Sequence, residues 1–326
     1  MTTQGTSPIA GPAVLAEVVR SGFVEGRHRG SLVVLAADGS VDSALSLGEP
    51  GVPVFPRSSN KPMQAAAILR TGLDLDGELL ALTAASHSAE SFHLDGVRKI
   101  LAGAGLTTDA LQTPPSLPLD QVESEAWIRS GGHPEPILMD CSGKHAAMLA
   151  ACVARGWDTT SYLNPGHPLQ QQLLSTFQRL TGETVPAVGT DGCGAPLLAT
   201  SLVGLARAFR AIVLADPGSP ERRVADAMRA HPEYVAGTRR IDTWLMRGVP
   251  GSMAKMGAEA VQAVALADGR AVAFKLEDGG YRAVGPVLAA VLERMGVAAD
   301  SDTLSRIASA PLYGGGRVVG AVRAAF

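Results

Sequence analysis

The sequence predicts an α+β fold: an antiparallel sheet made from the N- and C-terminal segments, packed with an inserted helical subdomain. Three observations carry this. Short runs rich in Val and Leu, bounded by glycines, occupy 13–20 and 30–37, and the same texture returns at 260–266 and 271–276. Asp38-Gly39 and Asp268-Gly269 stand beside such runs, where hairpin turns belong. Between them, from about residue 58 to 210, helical periodicity dominates. The expected organisation is a single domain over 1–326, with 1–56 and 250–326 forming the sheet and 57–249 mainly helical.

In chain order, the two opening strands and a third at Val41 to Leu47 read as a meander that gives way at Pro53 and Pro56. A helix then starts around Ser58. Pro62 suits its first turn, where the missing N–H would be unpaired anyway, and Gly72 stops it. An apolar segment from Leu79 to Ala85 runs into Ser86-His87-Ser88-Ala89-Glu90. Residues 92–103 read as an amphipathic helix, Pro114 to Pro118 as a loop, and Asp120 to Arg129 as a further helix. Asp140-Cys141-Ser142-Gly143-Lys144-His145 leads into a helix at 146–154 ended by Gly156. Another helix runs from His167-Pro168 to Leu180. Thr190 to Pro196 is a glycine-rich turn ahead of helices at 197–209 and 222–230. Lys255-Met256-Gly257 precedes the returning strands, followed by a helix at 285–295 and a final strand from Arg317 to Phe326.

Composition narrows the function. With 46% apolar and 18% charged residues the chain is compact and globular rather than disordered. A net charge of −3 and the lack of basic runs interleaved with aromatics speak against a nucleic-acid partner. No apolar run approaches the roughly 20 residues of a membrane helix. Met1 to Pro8 lacks a basic region followed by an apolar segment, so no secretory signal is expected. Three cysteines, an odd number, argue against a disulfide framework and for a reducing compartment. The expectation is a cytoplasmic, soluble protein.

Two constellations carry chemistry. Ser58 and Lys61 are three apart, so a helical turn stacks their side chains about 5–6 Å apart at Cβ. A lysine whose charge is disfavoured at a positive helix end can lose its proton and activate a serine. Ser86-x-Ser88 and Lys255-x-Gly257 follow in the order that also marks serine β-lactamases and penicillin-binding proteins. Two lysines sharing one partly dry pocket cannot both stay protonated cheaply, so at least one pKa falls toward neutrality. The second constellation is Cys141-x-x-Lys144-His145 with Asp191-x-Cys193. Sulfur and nitrogen ligands suit zinc, and a helix start lowers the cost of stripping the proton from a lysine ligand. Two buried structural cysteines are the alternative. Cys152, inside an apolar helix, reads as core, and His28, His93, His133, His167 and His231 as solvated or loop residues.

Five runs together, Arg57–Pro62, Ala85–Glu90, Cys141–His145, Gly189–Cys193 and Ala254–Ala258, resemble the signature set of the asparaginase II family, the Rhizobium-type or class 3 L-asparaginases. The resemblance spans essentially the whole chain and implies a β-lactamase and glutaminase-like fold. It implies two Ser–Lys tandems, Ser58 with Lys61 and Ser86 with Lys255, and zinc ligands at Cys141, Lys144 and Cys193. Arg57, His145 and Asp191 fall beside them as substrate-binding positions, and a homodimer is implied. Ala89 and Gly194 stand where some members have other residues, and Gly194 could alter substrate fit. The implied activity is hydrolysis of L-asparagine to L-aspartate and ammonia through a serine acyl-enzyme, with zinc holding the substrate's charged end or ordering the Cys141 and Cys193 loops. Two assignments stay open: Ser58 attacks with Lys61 as base while Ser86 and Lys255 relay the proton, or Ser86 attacks beside Lys255. A β-lactamase or D-alanyl peptidase, and an amide-binding module without catalysis, are the competing functions. Glutamine, one methylene longer, is a matter of pocket length.

Overall fold

The computed structural model describes residues 11–326, so the N-terminal run read as lacking a secretory signal lies outside the described residues. The strands are β1 (Ala13–Arg20), β2 (Phe23–Leu35), the short β3 (Pro53–Val54), β4 (Val188–Thr190), β5 (Pro196–Leu198) and β6 (Thr200–Ser201), then β7 (Met253–Gly257), β8 (Val261–Ala265), β9 (Ala271–Leu276), β10 (Pro311–Gly314) and β11 (Arg317–Ala324). The main sheet runs β10-β11-β1-β2-β9-β8-β7 and is antiparallel at every pairing. It is made wholly of the two ends of the chain, and the fold is α+β. The short strands pair separately, β3 with β6 and β4 with β5.

Burial explains the texture of the strands. Leu32 to Leu35 in β2 and all of β8 are buried residue after residue, so both faces of the sheet are covered there. The first half of β2 instead alternates, with Phe23, Glu25, Arg27 and Arg29 exposed. That polar alternation is why the sequence places the strand start seven residues late, at Gly30.

The helices are α1 (Lys61–Arg70), α2 (Gly77–Thr83), α3 (Ser91–Gly103), α4 (Gln121–Arg129), α5 (Ser142–Arg155), α6 (Pro168–Thr181), α7 (Leu202–Val213), α8 (Pro220–Ala230), α9 (Pro232–Val235), α10 (Ile241–Gly248), α11 (Val284–Arg294) and α12 (Ser301–Ala308). Helix α1 is buried from Lys61 through Leu69. A helix buried all round sits at the centre of its layer, and its alanines let α6 and α8 approach. Helix α7 packs on β2, β8 and β9 and joins the inserted helices to the sheet.

Three expectations are corrected. Residues 41–47 form no strand: isolated bridges join Val41 to Leu35 and Leu47 to Leu32, and Asp42 N and Ser46 Oγ bond Val34 between them. The Asp42 carboxylate accepts from the N–H groups of Ala44 and Leu45 at 3.0 and 3.2 Å, which winds the chain into a turn. The helix expected from 197 starts at Leu202, because Ser201 caps it through Gly204 N and the preceding residues pair as β5 and β6. His28, His93 and His167 are buried rather than solvated. Helices α10 and α12 and strand β10 had no counterpart in the sequence reading.

Candidate active site

The chain enters the site on a 3₁₀ turn at Arg57–Asn60 that runs directly into α1. Arg57 takes a φ of 51°, a left-handed conformation uncommon for a side-chain-bearing residue and concentrated at functional sites. Strand β7 packs against this turn. Ser59 Oγ donates to the Lys255 carbonyl at 3.0 Å, and a Cβ on Gly257 would collide with the Pro56 carbonyl oxygen. The glycine of Lys-x-Gly is therefore there for close backbone approach.

Lys61 and Lys255 converge from opposite ends of the sequence on one hydroxyl. Lys61 Nζ donates to Ser86 Oγ at 2.9 Å and to the Ala85 carbonyl at 2.5 Å. Lys255 Nζ lies 3.0 Å from the same Ser86 Oγ and donates to the Met256 carbonyl at 2.7 Å. Both lysines are fully buried. Ser58 and Ser86 line a cavity of about 530 Å³ whose lining does not include either lysine. No side-chain hydrogen bond joins Ser58 to Lys61, whose amine donates to Ser86. Ser88 points elsewhere, donating to the Ala236 carbonyl at 2.7 Å.

The two lysines titrate apart. Burial works against the Lys61 charge, but its neighbours, the Asp140 carboxylate among them, outweigh it and hold its pKa above the ordinary lysine value. Asp140, 3.5 Å from Lys61 Nζ, is the ionised one: burial raises its pKa, and Lys61 together with Lys255, His87 and the Ser86 hydroxyl more than reverses this. Burial pulls Lys255 down to about 7, with Asp242 opposing and Lys61 reinforcing the drop. One lysine is thus an acid that stays charged, the other a base near neutrality.

Beside them sits the cysteine pocket. Lys144 Nζ donates to Cys193 Sγ at 3.2 Å, and Cys141 Sγ donates to Asp140 Oδ1 at 3.7 Å. The neighbouring Cys141 thiol, aided by Lys144 against burial, holds Cys193 far below the ordinary thiol range. Cys193 and burial in turn push Cys141 well above it. The pair holds one thiolate and one thiol. Burial lowers the Lys144 pKa, but Cys193 and Cys141 lift it above that of a free lysine. His145 is fully buried and does not line the cavity; its Nδ1 is 2.6 Å from the Tyr162 hydroxyl, and its Nε2 has no hydrogen-bond partner. Among the described residues no three His, Cys, Asp or Glu side chains gather as a metal site; the set expected from the sequence counts two cysteines with a lysine.

Arg57 and Asp191 both line the cavity, joined by Arg57 Nε to Asp191 Oδ1 at 2.8 Å. The N–H of Gly192 donates to that same oxygen at 2.9 Å. Asp140, Arg240, Asp242 and Tyr281 escaped the sequence reading. Asp140 stands inside a quoted run and was legible as a neighbour of Cys141. The others lie on α10, just before it and on the 3₁₀ turn Tyr281–Ala283 after β9, where no motif flags them.

A family model described as L-asparaginase II matches residues 16–324. Among solved structures, the chain is similar to a β-lactamase from Mycobacterium bovis, at 14% identity and a TM-score of 0.45, over 81% of this chain and 94% of that one. It is also similar to a Bacillus glutaminase, at 13% identity and a TM-score of 0.45, over 82% of this chain and 91% of that one. No curated protein matches.

Proposed function

The chain belongs to the L-asparaginase II family, and from that premise we propose that it is an amidohydrolase that converts L-asparagine to L-aspartate and ammonia through an acyl-serine. One observation carries the reading: Ser86 Oγ lies 2.9 Å from Lys61 Nζ and 3.0 Å from Lys255 Nζ at the wall of a cavity. A charged lysine on one side of a hydroxyl and a neutral one on the other make a directed proton path.

In this mechanism Ser58, the more open of the two serines, attacks the amide carbon. Its proton passes to Ser86 as Ser86 passes its own to neutral Lys255. Lys61 keeps its charge and fixes Ser86 by donating to it. Backbone N–H groups beside Ser58 receive the developing oxyanion. Lys255 then returns the proton through Ser86 to the leaving nitrogen as the C–N bond breaks, and water repeats the sequence on the acyl-serine. Asp191 has one oxygen committed to Arg57 and Gly192; its other oxygen accepts the substrate's α-ammonium.

The donor set of Cys141, Cys193 and Lys144 fits zinc. It offers two sulfurs, one already a thiolate, and an amine 3.2 Å from it, with the unpartnered His145 Nε2 close by. When bound, the ion would supply positive charge at the wall that Cys141 and Cys193 line and would order those two segments. Lys144 must give up its proton to bind it.

A second reading has Ser86 attack with Lys255 as its base. It is favoured by the lysine contacts, which Ser86 makes and Ser58 does not. Acid-quenching the enzyme during asparagine turnover and mapping the acylated peptide by mass decides between them: an added aspartyl mass is expected on Ser58, and on Ser86 the second reading holds. Should Ser58→Ala and Ser86→Ala both keep wild-type ammonia release, no acyl-serine forms. Asparagine bound tightly with no ammonia released from it or from glutamine makes the protein an amide-binding module.

A further inference from the structure

The cavity's charges balance with one exception. Asp191 is held by Arg57 at 2.8 Å, Asp140 by Lys61 at 3.5 Å, and Glu259 lies 3.9 Å from Arg57. Asp120 is held by Arg239 at 2.8 Å. The remaining lining cation is Arg240. Among the described residues it forms no ion pair, and its one side-chain hydrogen bond runs from Nη2 to the soft Met256 sulfur at 3.5 Å. Adjacent arginines are thus used in opposite ways. Arg239 faces out and clamps Asp120 and Glu123 at the start of α4, while Arg240 lines the cavity with no carboxylate on its donors. The Tyr281 hydroxyl, also on the lining, sits beside the Arg240 guanidinium.

A half-buried guanidinium without a counter-ion is an anion site in waiting. Its planar fork matches a carboxylate in two parallel hydrogen bonds, and charge-assisted pairs are the strong ones. We propose that Arg240, with the Tyr281 hydroxyl at its side, seats the substrate's carboxylate. With Asp191 as the opposite pole, the cavity then selects zwitterionic amino-acid amides over plain amides. The turnover part of this inference rests on the amidohydrolase reading; the binding part does not.

The test pairs titration calorimetry of L-aspartate with kinetics on L-asparagine and on propanamide, which has no carboxylate. Arg240→Gln is expected to raise the aspartate Kd and the asparagine KM about 10- to 100-fold. The loss should fall on KM rather than kcat, and propanamide hydrolysis should change less than about threefold. Arg240→Lys, which keeps the charge without the fork, should land between. Overturning results are a folded Arg240→Gln with unchanged Kd and KM, an equal loss on propanamide, or no aspartate binding by wild type at millimolar concentration. If Arg240→Gln fails to fold, Arg240→Lys decides, because unchanged Kd and KM there exclude a bidentate seat. If wild type releases ammonia from no amide, the amidohydrolase reading fails and the Kd comparison still decides the role of Arg240.

Discussion

Lys144 in the cysteine pocket and Lys255 in the serine pocket are both almost wholly buried, yet they end in opposite protonation states. Burial alone pushes each toward the neutral amine. Lys144 stays charged because a thiolate lies 3.2 Å away. Lys255 has a carboxylate in its surroundings too, but Asp242 is engaged elsewhere: its oxygens accept from Met256 N at 2.8 Å and from Gln262 Nε2 at 2.9 Å. A second cation, Lys61, meets Lys255 across Ser86. What separates a structural lysine from a chemical one here is the placement of the counter-charge, not the depth of burial.

The largest effect expected from that contrast is on catalysis. Lys255→Met replaces a near-neutral amine with a similar apolar chain, so the fold should survive while kcat falls about 10²- to 10⁴-fold. Ammonia release and thermal melting measured on one preparation check both halves. Activity within tenfold of wild type would put the base elsewhere. On the other side, Cys193→Ala strands the Lys144 charge, and breaking a buried pair in this way costs about 3–5 kcal/mol. Urea unfolding should register that loss, and adding Lys144→Met should recover most of it. A double variant no more stable than the single one would mean that Lys144 is not held by charge.

The pH dependence sharpens the same comparison. The base must be neutral to accept a proton, and the Lys255 pKa is about 7. The rate constant kcat/KM should therefore fall as pH drops through 7, approaching tenfold per unit below it. Asp242 raises the Lys255 pKa, so Asp242→Asn should move this acid limb to lower pH. The amide oxygen that this substitution introduces can still accept from the Met256 N–H, so the strand contact is kept. A limb that stays in place, or moves up, would assign the titration to another group.

How much of this was legible in the sequence follows from range. Ser58, Ser86 and Lys255 announced themselves through local spacing, and the terminal sheet through valine-rich runs and Asp-Gly turns. The hydrogen bond from Lys61 to Ser86 was not legible. It depends on how α1 meets the segment after α2, a contact across 25 positions. Arg240 and Asp242 were invisible for the same reason: each acts through β7, brought alongside by packing. The missing strand at 41–47 is a different failure. Asp38-Gly39 pointed to a hairpin, but the Asp42 carboxylate accepts from the Ala44 and Leu45 N–H groups and winds the chain into a turn instead.

The smallest expected effect tests whether the serine pocket ends at Ser86. Ser88 lies two residues on, equally buried, and its hydroxyl serves only the Ala236 carbonyl at 2.7 Å. Ser88→Ala removes one neutral hydrogen bond and should cost about 1 kcal/mol of stability, with kcat and KM for asparagine unchanged. Ala236 leads into Gly237, whose φ of 123° admits little but glycine, so the strap between the two segments is held by backbone shape as well as by this bond. A drop in kcat beyond about fivefold with an unaltered melting temperature would bring Ser88 into the proton path. The line drawn between Ser86 as carrier and Ser88 as fastener would then be wrong.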